Sequence, residues 1–213
     1  MADIKHIIQR SIELERILVQ FLDAQLFDDS DRLAVTRTVC SISLEYANSA
    51  RLLIEAGNFT SAIGLMRLQY EAIVRAVWLL YAATDTAVSK LAVELTPESE
   101  QKASNMPILS LMLKQINEKA PRQATQMLNE FKGVSGKAMN SFVHCGIHAV
   151  NRHDSGYPIH LIIQILQNSN ALSIMGGMIL GILSGDKSAA IKISKIQREY
   201  KDCLPPLKST LKS

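Results

Sequence analysis

The stretch "LIIQILQNSNALSIMGGMILGILSG", residues 161–185, decides what kind of protein this is. It holds no charged residue and is long enough, as a helix, to cross a bilayer. Gly177 and Gly181 stand four apart, a spacing that lets helices approach closely in membranes. The segment after it is basic, with seven Lys or Arg against three acids from Asp186 to Ser213, and would suit a cytoplasmic flank. Its first half argues the other way. Gln164, Gln167, Asn168, Ser169 and Asn170 are costly in lipid unless each finds a partner. Gly176, Gly177 and Gly181 serve equally for close packing in a soluble bundle. The reading taken forward is a buried, nearly uncharged helix near 158–184, with no stable membrane insertion.

The remaining chain supplies helices to cover it. Ile4, Ile7, Ile8, Ile12, Leu18, Phe21 and Leu22 recur at helical spacing and predict one amphipathic helix from 3 to about 26. "DDSD" (28–31) offers capping oxygens for a second helix, which runs to "EAGN" (55–58), where Gly57 can take the left-handed stop conformation. "AIGLMRLQYEAIVRAVWLLYAA" (62–83) is apolar almost all round, as a central bundle helix should be. "TPESE" (96–100) opens another, with Thr96 as cap and Pro97 in the first turn. Shorter helices are predicted near 107–118 and 121–132, then one from about Lys137 to Arg152. "HDSGYP" (153–158) breaks the chain before the uncharged stretch. No segment alternates like a strand. The prediction is an all-α bundle of about seven to eight helices, one domain over 1–204 with a short basic tail at 205–213.

Composition agrees. Of 213 residues 47% are hydrophobic but only 5% aromatic, which calls for an aliphatic core and suits helices better than sheets. A net charge of +3 does not describe a dedicated nucleic-acid binder. Cys40, Cys145 and Cys203 form no CxxC pair, so a structural zinc of the finger type is disfavoured and a reducing, cytoplasmic setting is expected. The N-terminal segment mixes acids and bases among apolar residues, as an amphipathic helix does and a signal peptide does not. No cofactor motif is present.

Two groups of residues carry possible chemistry. Arg67, Glu71 and Arg75 stand at steps of four on the most apolar helix, so Glu71 can pair with either arginine. Buried charge pairs seldom add stability over apolar replacements, so the ladder is either a register-setting network or a functional site. In the functional reading Glu71 is an acid/base or orienting group and the arginines clamp an anion. The second group is "SFVHCGIHAVNRHDSGYPIH" (141–160), which gathers four of five histidines. On a continuous helix His144 and His148 share one face. With a third ligand such as Glu71 or Glu45 they could hold a metal, although no metal is assigned. The Glu-x-x-His signature of bundle di-iron sites is absent. Arg152 and His153 complement a helix C-terminus, and His160 falls in the first turn of the next helix. With Asp154 and Tyr157 they collect proton-transfer groups at a bend.

The stretches 61–83, 140–158 and "LQNSNAL" (166–172) together resemble an uncharacterised family of bacterial proteins known as a domain of unknown function. The resemblance spans nearly the whole chain and implies one all-helical bacterial domain without an assigned activity. A looser similarity links the chain to HEPN ribonucleases and other helical families near phage-defence genes. Those ribonucleases leave four to six residues between Arg and His, whereas seven lie between Arg152 and His160. The resemblance suggests that the ladder and the histidines form one pattern, facing each other across the bundle.

Two functions are therefore expected to compete. In one, an enzyme or toxin acts on RNA or another phosphate-bearing substrate. Arg67, Arg75, Arg152, Tyr157 and His160 bind it, and Glu71, His144 and His148 perform the chemistry. In the other, a non-enzymatic helical module, a homo-oligomer, uses the same residues for packing.

Overall fold

A computed structural model describes residues 3–206, apart from the side chains at 134 and 135. The tail expected at 205–213 lies, from residue 207 onward, outside the described residues. The described residues form helices and no strand: α1 (Ile4–Leu18), α2 (Asp31–Glu55), α3 (Phe59–Tyr81), α4 (Asp85–Ala92), α5 (Pro97–Ala103), α6 (Leu109–Lys119), α7 (Arg122–Val143), α8 (Ile147–Ser155), α9 (Ile159–Leu183) and α10 (Ala189–Glu199), with 3-10 turns after α1 and α10. The class is all-α. There are more helices than expected because α4 and α10 were not foreseen; the two helices expected near 121–132 and 137–152 become α7 and α8, with the break moved to residues 144–146.

The uncharged helix α9 lies at the centre, against α1, α2, α3 and α10. It is long and apolar enough to cross a membrane, and 72% of its most apolar window is buried among its neighbours. Its small residues make those contacts possible. A Cβ on Gly177 would come within 2.7 Å of Leu18, and one on Gly181 within 2.6 Å of Ala189. Its buried polar residues, Asn170 and Ser169, find partners from other elements. Asn170 Nδ2 donates to Ser11 Oγ and to the Cys203 carbonyl, both at 2.8 Å. Ser169 Oγ donates to Gln69 Oε1 at 2.7 Å, and Gln69 Nε2 returns a bond to the Ser169 carbonyl at 2.9 Å. Gln164 is exposed.

Helices α2 and α3 form a long antiparallel hairpin closed at Gly57, whose φ of 78° is the left-handed stop read from the sequence. Arg32 on α2 donates to the carbonyls of Leu79 and Ala83, the second at 2.9 Å. It thereby satisfies the orphan acceptors at the end of α3 with a cation where the dipole favours one. Thr96 caps α5 as expected, with Pro97 in the first turn, and Ser99 completes a capping box that the sequence reading did not include. On the other flank, Trp78 Nε1 donates to Gln115 of α6 at 2.6 Å. Tyr70 stacks on Phe131 of α7 and donates to the Leu128 carbonyl at 3.1 Å. One hydrophobic core runs from Ile7 to Leu204.

Candidate functional site

The ladder on α3 is built as the spacing requires, but it is shared unequally. Arg67 Nη1 stands 2.5 Å from Glu71 Oε1. Its geometry is that of an ion pair rather than an aligned hydrogen bond. Arg67 is 14% exposed and Glu71 41%, so the pair sits at the edge of the core with its carboxylate in water. The Arg67 guanidinium also lies 5.9 Å from the Tyr70 ring centroid. Burial pushes the Tyr70 hydroxyl up to about 12, with Arg67 opposing and Glu71 reinforcing the shift. The Tyr70 hydroxyl is taken up by the bond to the Leu128 carbonyl. Arg75 has no carboxylate within ion-pair distance among the described residues.

The histidine segment is not one helix, which corrects the expected run from Lys137 to Arg152. Helix α7 ends at Val143, with His144 as its cap and Cys145 in the left-handed region at φ 50°. The Gly146 amide donates 2.7 Å to the Ser141 carbonyl, the six-to-one bond of a Schellman stop. Ser141 Oγ then accepts from the His148 amide at 3.0 Å and so caps α8. The turn between them removes the premise that His144 and His148 share a helical face. Arg152 and His153 do occupy the last turn of α8, and His160 the first turn of α9, as read from the sequence. His144, His148, His153 and His160 are all exposed.

What the bend packs against is the start of α3. Tyr157 and Thr60 share a hydrogen bond of 2.6 Å between their hydroxyls, and His153 Nδ1 lies 3.4 Å from the same Thr60 Oγ1. Tyr157 also packs on Phe59 and Phe142, at centroid distances of 5.2 and 6.3 Å. Thr60 precedes Glu71 by three helical turns, or roughly 16 Å of rise. Because α7 runs antiparallel to α3, from Leu128 beside Tyr70 to Phe142 beside Tyr157, His144 is carried beyond the start of α3. No hydrogen bond or ion pair joins the ladder to a histidine among the described residues. The two groups stay apart; Tyr157 and His153 of the histidine segment meet Thr60 of α3 instead. Nor do the described residues hold any group of three His, Cys, Asp or Glu placed to bind a metal.

A further polar cluster lies where sequence reading did not look. Arg10 on α1 donates to Asp202 at 3.1 Å and to the Glu199 carbonyl at 2.8 Å, pairs with Glu13 at 2.7 Å, and covers the Tyr200 ring at 4.0 Å. His6 Nε2 reaches Asp202 at 2.9 Å. The partners are nearly two hundred residues apart, and only the basic charge of Arg10 within an otherwise ordinary amphipathic face could have hinted at it.

A family model described as a family of unknown function, DUF6988, matches residues 40–206. No curated protein and no solved structure shows significant similarity to the chain.

Proposed function

The chain belongs to this family of unknown function, and from that premise we propose that it is a non-enzymatic helical module that self-associates through the bend formed by the end of α7, α8 and the start of α9. The observation that carries the reading is the exposure of large aliphatic side chains there. Ile147 is 74% and Val150 59% exposed, three apart on one face of α8, flanked by exposed Val143 and Ile159. Apolar side chains gathered at one end of a fold mark an interaction surface rather than a solvated one. The charge pattern favours a second copy as the partner. An antiparallel, two-fold crossing of α8 at Asn151 brings Asp154 of one copy to His148 and the positive N-terminus of α8 in the other.

The enzymatic alternative needs an acid/base pair and an anion clamp in one place. Glu71 is engaged by Arg67 on its own helix, and the exposed histidines sit roughly three turns away. That arrangement supports a packing role for the ladder. Sedimentation equilibrium tests the proposal: wild type is expected to dimerise, and Val150→Asp to remain monomeric with an unchanged helical circular dichroism spectrum. A wild type that stays monomeric at every concentration contradicts it. So would cleavage of a labelled RNA that is lost in a folded His148→Ala variant.

A further inference from the structure

The outer side of the α2–α3 hairpin carries a groove that the Arg67–Glu71 pair and the bend do not line, and that only the unpaired end of the ladder, Arg75, enters. Helix α2 lines it with Ala34, Val35, Val39 and Ile42, which recur at one face of the helix, and α4 closes it with Leu91. Its volume is ≈ 460 Å³, in the range of ligand clefts, and it lies open to solvent rather than enclosed. Arg75 of α3 also lines it. The guanidinium is partly buried and stands without a carboxylate among the described residues, because Glu71 is held by Arg67 one turn earlier. A half-buried cation against aliphatic walls, with no carboxylate in ion-pair distance among the described residues, is suited to a ligand that brings one negative charge and an apolar body.

We propose that this groove binds a small amphipathic carboxylate, its aliphatic body along Val35, Val39, Ile42 and Leu91 and its carboxylate paired with the Arg75 guanidinium. A planar carboxylate can take two parallel N–H bonds from one arginine, which fixes its orientation as well as its charge. Asp31 also lines the groove, one turn before Val35. It repels a second negative group there, so phosphate chains and nucleic acid are rejected while a monoanion with an uncharged tail is accepted. Thr38 adds little competition for the carboxylate, since its hydroxyl donates to the Ala34 carbonyl at 3.1 Å.

Calorimetric titration of the full chain with decanoate tests this directly, with 1-decanol, decylamine and inorganic phosphate as comparison probes. Saturable binding of one decanoate per chain is expected. It should weaken at least tenfold in Arg75→Met and in Ala34→Phe, which fills the groove. Arg75→Met removes no ion pair among the described residues, so thermal melting should show it folded even if Ala34→Phe is not. The proposal is overturned if decanoate gives no saturable binding, or if Arg75→Met binds it as well as wild type. It is equally overturned if decanol or phosphate matches decanoate. Decanoate affinity that falls as protein concentration rises also overturns it, by placing a second copy in the groove.

Discussion

Asn170 and Gln69 carry the argument at the scale of single residues. An amide in the middle of an apolar helix has to find donors and acceptors or be expelled, because an unpaired buried polar group costs about 1–3 kcal/mol. The sequence flagged the amides of 161–185 for this reason. It did not say who their partners were, since Ser11, Gln69 and the Cys203 carbonyl come from three remote segments. Gln69 itself escaped notice because it lies between the more conspicuous Arg67 and Glu71, yet it is wholly buried. Replacing Asn170 with Ala strands the Cys203 carbonyl and one lone pair of Ser11. It should destabilise the fold by about 1–3 kcal/mol in urea titration. A cost below about 0.5 kcal/mol would mean that these bonds do not hold α1 and the chain end onto α9.

At the scale of elements, the instructive place is the joint between α7 and α8. The sequence predicts one helix near 121–132 and the next from about Lys137, but α7 runs through the gap between them, across Gly133 and Gly136. Each helical glycine costs about 1 kcal/mol, and burial of Leu128, Met139 and Phe142 on the same helix outweighs it. The real stop comes later and is hidden by its chemistry. The residue in the left-handed conformation is Cys145, not its glycine neighbour. Gly146 is needed for a different reason: a Cβ there would sit 2.7 Å from Ser141 Oγ, the group that caps α8. Two opposite effects follow. Cys145→Gly relieves a strain of about 1–2 kcal/mol and should raise the melting temperature. Gly146→Ala should lower it by displacing Ser141. Thermal melts of both variants check the sign, and a stabilised Gly146→Ala would refute the geometry described for the joint. The helices with sequence-visible caps, α5 at Thr96 and α2 at Gly57, were legible, because their signals are local.

For the molecule as a whole, the two chain ends are tied by the cluster around Arg10. Partial burial opposes ionisation of Asp202, but hydrogen bonds from His6 and Arg10 outweigh it and hold the carboxyl below its ordinary range. A carboxylate whose pKa is lower folded than unfolded contributes stability that is fully present above the unfolded value, about 3.9. That contribution is lost as pH falls through the folded value. Asp202→Asn should therefore lower the melting temperature at pH 7 and flatten its decline in acid below about pH 4, as calorimetric scans across that range would show. An unaltered acid limb would remove this cluster from the account.

The same long-range view decides the candidate site. The residues themselves were legible, since both groups stand out by composition. Their separation was not, because the distance between Glu71 and His148 depends on the Schellman turn and on the direction of α7, neither of which has a signature in the spacing of charges. The most direct test is a double-mutant cycle on unfolding free energy with Glu71→Gln, His148→Ala and the pair. Groups on separate parts of the bundle should add within about 0.5 kcal/mol. A coupling of about 1 kcal/mol or more would place the ladder and the histidine in one network, and would contradict the account at its centre.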